Sequence, residues 1–205
     1  MHYAQHGKRF LFPKAMYDMG ENMPQTAEHA IGLATALRDF FSAGCAAELA
    51  AASPALSTGR ILNEDEAREL EYEFNRLFVG PDVISAPPFA SVYLEKEPQL
   101  MGHSTLEVRE LYLGLGLAVP EGGIPDDFLP YELDAWIRLC TLELEVSNEQ
   151  GKQTVREARR WLVLEHMARW IPVFIERASL SSPSPIMADI LKALENWLHS
   201  AQTNV

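Results

Sequence analysis

Basic residues are scarce: 17 lysines and arginines stand against 29 aspartates and glutamates in 205 residues, a net charge of −12. A field of that sign repels nucleic acid and anionic membrane and draws in cationic partners. Cysteine is scarcer still. Cys45 and Cys140 lie far apart with no partner at metal-ligand spacing, so both are expected as buried free thiols. No run of eighteen apolar residues occurs, which argues against a membrane-spanning helix and against stable membrane insertion. Behind Lys8 and Arg9 only Phe10, Leu11 and Phe12 precede Pro13, too short an apolar run for a secretory signal, so a cytoplasmic location is expected. The six histidines are scattered, and none is three or four residues from another on a predicted helix face. Walker loop, dinucleotide fingerprint, Gly-x-Ser-x-Gly elbow and His-Glu-x-x-His helix are all missing. These absences remove the common enzyme classes and leave no cofactor or metal expected.

What remains is a chain of ordinary globular balance, 47% hydrophobic and 22% charged, long enough for one domain with a real core. Residues 1–25 show no clear period and read as a mobile or irregular arm; residues 26–205 read as a single helical domain. Thr26 is a predicted N-cap, with Ala30, Ala34, Leu37 and Phe41 on one face behind it. A short alanine-rich helix follows from Cys45 to Ala52. Asn63 and Glu66 form a predicted capping box ahead of an Ala67, Leu70, Phe74, Leu77 and Phe78 stripe, which Gly80-Pro81 ends. Ser104 and Glu107 read as a second capping box, opening a helix with Val108, Leu111, Tyr112 and Leu115. Pro130 suits the first turn of the next helix, where Leu133, Trp136, Ile137, Cys140 and Leu144 recur. Val155 to Glu165 suggests another, Pro172 a short one, and Ser184-Pro185 the last. Only Ser91 to Leu94 has strand composition. The predicted fold is all-α: a single compact helical bundle with one long irregular loop at about residues 80–103.

A loop of that length inside a compact domain is usually functional. Pro87-Pro88 stiffens it beside Phe89 and Tyr93, which either plug the loop onto the core or form a pre-ordered wall for a peptide. Asp126-Asp127 has two readings as well. It caps the helix starting near Pro130, or it offers carboxylates to the guanidinium groups of a ligand. Adjacent loop aspartates diverge, so a shared-proton catalytic dyad is disfavoured.

Several segments together resemble the TorD/DmsD family of redox-enzyme maturation chaperones. They are R-L-F-V-G-P at Arg76 to Pro81, P-P-F-A-S-V-Y-L at Pro87 to Leu94, G-H-S-T-L at Gly102 to Leu106, P-D-D-F at Pro125 to Phe128 and H-M-A-R-W-I-P-V-F at His166 to Phe174. The resemblance implies a cytoplasmic, non-enzymatic chaperone, monomeric or homodimeric. It would bind the twin-arginine signal peptide of a molybdopterin-dependent oxidoreductase and hold the apo-form of that catalytic subunit during cofactor insertion. Peptide contacts carried over from the family fall on Leu77, Pro88, Phe89, Ser91, Gly102, Asp126, Asp127 and Phe128. Phe89 stands where the family usually has Trp or Tyr, and Phe128 where it usually has histidine. Two other readings compete: a helical adaptor for a folded partner subunit, and a small helical enzyme or nucleotide-binding protein using His103 with Asp126.

Overall fold

The computed structural model describes residues 25–57, 59–81, 83–97, 100–117 and 123–205; the expected arm at 1–25 lies outside them apart from Gln25. The expectation of an all-α bundle holds. Among the described residues the single β-type pairing is an isolated antiparallel bridge between Phe89 and Phe128.

Helix α1, Gln25–Phe41, is already helical at Gln25, so Thr26 lies inside it rather than capping it. It buries Ile31, Ala34, Leu37, Phe40 and Phe41 at three- and four-residue intervals. Its main packing partner is α6, Leu129–Glu145, which has Pro130 in its first turn as predicted. Arg38 Nη1 donates to Asp134 Oδ1 at 2.8 Å across that interface, both side chains being almost wholly buried. Helix α2, Ala46–Ala52, runs into a short 3₁₀ turn, Ser53–Ala55. Cys45 sits exposed at its start, not buried as expected: the residue precedes the helix and its side chain never reaches the core.

Helix α3, Glu64–Phe74, opens with the predicted capping box. Asn63 Oδ1 accepts from Asp65 N and Glu66 N at 3.0 Å each, and Glu66 Oε2 accepts from Asn63 N. The chain then widens into a π-helical turn, Asn75–Val79, and stops at Gly80, whose φ of 109° favours glycine. Phe40, Phe41, Phe74, Phe78 and Phe174 meet with ring centroids 5.3 to 5.8 Å apart. Each fully buried ring of this kind contributes about 1.5–3 kcal/mol.

Helix α4, Ser91–Leu94, is a single helical turn although its composition favours strand. Helix α5, His103–Gly114, follows. Helix α7, Glu149–Arg160, is capped by Asn148 and passes into a π-helical segment, Trp161–Met167, before α8, Ala168–Ser179. Pro172 lies within α8 on its exposed side and does not start a helix. The Ser184 side chain caps α9, Pro185–Thr203, as predicted. Leu144 departs from the expected core, because α6 carries its final turn past the buried interior into solvent. Among the described residues no helix is long and apolar enough to cross a membrane.

Candidate functional site

The long loop is pinned rather than slack. Ala86 N donates to Leu77 O at 2.9 Å, tying the loop to the π-helical turn above it. Leu129 N donates to Pro88 O at 3.0 Å, and Ala90 N to Asp127 O at 3.1 Å, so the loop lies alongside the segment that opens α6. Phe89 stacks on Phe128 at 5.1 Å between centroids and 29° between planes. Tyr93 is a plug: its ring stacks on Trp170 at 5.7 Å and its hydroxyl donates to Pro87 O at 2.9 Å.

The aspartates diverge, as adjacent loop residues do. Asp127 is fully buried. Its Oδ2 accepts from Ser91 N at 2.6 Å, and its Oδ1 accepts from the Thr105 hydroxyl at 2.9 Å. That first bond explains α4. An acceptor 36 residues away satisfies a first-turn amide, overriding a local composition that favours strand. Asp126 turns the other way, accepting from Arg109 Nε at 2.5 Å and Nη2 at 3.3 Å, while its carbonyl accepts from the Tyr112 hydroxyl at 3.1 Å. The Asp126 hydrogen bond and charge hold Arg109 protonated more firmly than usual, and burial does the same for the Tyr112 phenol. Neither aspartate caps α6, whose start at Phe128 has no side-chain cap.

The structure therefore brings Leu77, Pro88, Phe89, Ser91, Asp126, Asp127 and Phe128 into one bonded cluster. All are buried except Phe128, which is half-buried. Gly102 sits at the neighbouring start of α5. There the predicted Ser104–Glu107 capping box is not formed. Glu95, just past α4, does the capping instead: its Oε1 accepts from Ser104 N and Ser104 Oγ, both at 2.8 Å. Those two bonds hold the Glu95 carboxyl below the usual carboxylate range. A Cβ on Gly102 would stand 2.4 Å from the Glu95 carboxyl carbon, so glycine is what lets the cap close. Gly102→Ala is expected to displace Glu95 and cost about 1–2 kcal/mol in chemical denaturation. Glu95→Ala made in the same background should then add almost nothing; full additivity would disprove the coupling.

His103, considered for chemistry with Asp126, is exposed and faces Glu107 at 3.6 Å, whereas Asp126 is buried against Arg109. Sequence reasoning missed Thr105, Arg109 and Glu95, whose polar partners lie nine to 22 residues away. It also missed a buried pair beneath the cluster. His166 Nε2 lies 2.7 Å from Glu132 Oε1, and Trp170 Nε1 donates to Glu132 Oε2 at 3.1 Å. A charged residue on the inner face of α6, facing an aromatic-flanked histidine on a neighbouring helix, was the available signal.

Residues 38–176 match the family described as nitrate reductase delta subunit, about two-thirds of the chain. The chain belongs to that family, which includes the TorD- and DmsD-type chaperones. The chaperone protein TorD of Vibrio cholerae is 30% identical over 122 residues, covering 58% of this chain and 55% of that one. The Tat proofreading chaperone DmsD of Salmonella typhimurium is 26% identical over 156 residues, covering 76% and 72%. This chain thus spans about half the length of the TorD chaperones it matches. A putative redox enzyme maturation protein from Archaeoglobus fulgidus has the same fold, with a TM-score of 0.55 at 18% identity, over 89% of this chain and 99% of that one.

Proposed function

We propose that this family member is a cytoplasmic chaperone that binds the arginine-bearing leader of a molybdopterin-dependent oxidoreductase and holds the apoenzyme during cofactor insertion. The observation that carries the reading is the pinned wall of Pro88, Phe89 and Phe128, held from beneath by Asp127. A wall ordered before binding loses less entropy when a peptide lies on it. In this reading half-buried Phe128, with the edges of Pro88 and Phe89, accepts the apolar part of the leader, and Leu77, wholly buried, floors that wall from beneath. Ser91, Gly102, Asp126 and Asp127 keep the wall in place, because both carboxyl groups are already engaged inside the fold. The acidic surface, at net charge −12, steers a cationic ligand toward it.

The enzyme alternative needs His103 and Asp126 in one pocket, and their separate engagements speak against it. Among the described residues no group of three His, Cys, Asp or Glu side chains is placed to hold a metal ion. Isothermal titration with a synthetic peptide of two arginines followed by an apolar stretch tests the reading. Saturable binding is expected, weakened by about tenfold in Phe89→Ala and by less in Asp126→Asn, with the fold checked by circular dichroism. No binding at all, or the reverse ranking, would refute it.

A further inference from the structure

Arg109 and Asp126 are bonded to each other but unequally fixed. Asp126 is pinned: its carbonyl accepts from the Tyr112 hydroxyl at 3.1 Å, Phe128 N donates to Pro125 O at 3.2 Å around it, and its carboxyl group is almost wholly buried. Arg109 is less tightly held. Its side chain is 46% exposed on α5, and among the described residues Asp126 is its one ion-pair partner. A buried carboxylate requires a guanidinium beside it, but not this one in particular. We propose that Arg109 holds the Asp126 carboxyl group only until a leader arginine takes its place, so that Arg109 is a built-in competitor that sets the affinity of the wall and its choice of arginine over lysine. The proposal rests on the peptide-binding reading above and names the group that regulates that same wall.

Three observations carry it. The first is the form of the contact. Arg109 meets Asp126 side-on, Nε to Oδ2 at 2.5 Å and Nη2 to Oδ1 at 3.3 Å, a fork that needs a planar guanidinium. A lysine ammonium is a single point of charge and does not reproduce both bonds. The second is position. Asp126 stands two residues before Phe128 in one turn. Burial raises the Tyr131 phenol pKa and the Asp126 charge adds to it, and the Tyr131 ring meets Phe128 edge-on at 5.4 Å. The carboxyl group therefore adjoins the apolar wall, where the cationic end and the apolar stretch of one peptide are both met. The third is that the exchange costs the fold little. One guanidinium replaces another, so Asp126 is never left buried and unpaired, and Asp127 goes on holding Ser91 and Thr105. The same exchange accounts for the smaller effect expected of Asp126→Asn, which removes the competitor's hold together with the leader's.

The test uses the full chain, the same two-arginine peptide and its two-lysine counterpart. Wild type is expected to bind the lysine peptide about tenfold more weakly. Arg109→Gln should tighten the arginine peptide by about fivefold, because no internal guanidinium then competes. Arg109→Lys keeps a cation beside Asp126 should Arg109→Gln fail to fold, and it should tighten the peptide by about two- to threefold. In the Asp126→Asn background Arg109→Gln should change nothing further. Arg68→Gln, the same loss of charge on α3, should leave the affinity unchanged, which separates release of Asp126 from a change of field. In isotope-labelled protein the Arg109 Nε–H resonance, assigned from Arg109→Lys, should move to the position of a free arginine as unlabelled peptide saturates. A resonance that stays in place, Arg109 variants that bind no tighter than wild type, or a gain that survives Asp126→Asn overturns the competitor and leaves the peptide reading standing. Wild type that binds neither peptide overturns both.

Discussion

Asp127→Ala is expected to lower the unfolding free energy by about 3–5 kcal/mol. The carboxyl group is wholly buried and serves two donors from different segments, Ser91 N of α4 and Thr105 Oγ1 of α5. Truncation removes both acceptors and leaves a buried amide and a buried hydroxyl without partners, each worth about 1–3 kcal/mol. Asp127→Asn keeps one acceptor and turns an NH₂ toward a donor, so roughly half the loss is expected. Asp126→Asn should cost only about 1 kcal/mol or less, since its partner Arg109 is nearly half exposed. Urea denaturation of the three variants checks the order, and hydrogen exchange should show the Ser91 amide losing protection in Asp127→Ala alone. Equal losses at Asp126 and Asp127 would show that Asp127 is not what anchors the loop.

Glu132→Ala is expected to cost about 3–5 kcal/mol and to reverse the pH dependence of stability. Glu132 and His166 are both buried, with Trp170 as the second donor to the carboxylate. Burial raises the Glu132 pKa, and His166 offsets only part of that rise. Burial pulls the His166 pKa down, but the Glu132 charge and hydrogen bond, helped by Asp127 and Glu107, carry it above the ordinary 6.5. Both groups therefore bind protons more tightly folded than unfolded. Their stabilisation is fully present below the unfolded values and is lost as pH rises through the raised folded ones. Wild-type Tm should accordingly fall as pH rises above the ordinary histidine value of 6.5. Without Glu132 the burial of His166 dominates, its pKa drops, and the variant should gain stability over the same range. Parallel pH profiles for the two proteins would remove the pair from any role in that dependence.

These interactions mark how much of the site was legible beforehand. The segments that converge, Pro87 to Leu94 and Pro125 to Phe128, were recognisable as motifs, and the divergence of Asp126 from Asp127 followed from adjacent loop geometry. Their partners were not recognisable. Arg109 on α5 looks like any exposed helix arginine until Asp126 stands beside it, and Glu95 looks like loop acidity until it reaches Ser104.

Local order was the sequence's own doing. The Asn63–Glu66 box, the Ala67, Leu70, Phe74 and Phe78 stripe, the stop at Gly80 and the Ser184 cap all depend on residues within a few positions of one another, so short-range sterics and hydrogen bonding decide them. Folding in three dimensions decided the rest. Ser91 to Leu94 became a helical turn because a carboxyl group from a distant segment satisfied its first amide. Cys45 and Leu144 stayed outside the core because helix ends, unlike helix faces, are buried or exposed according to where their neighbours stop. A hydrogen bond or a recess made by residues far apart in the chain leaves no periodic trace, because the distance that creates it exists only once the helices have packed.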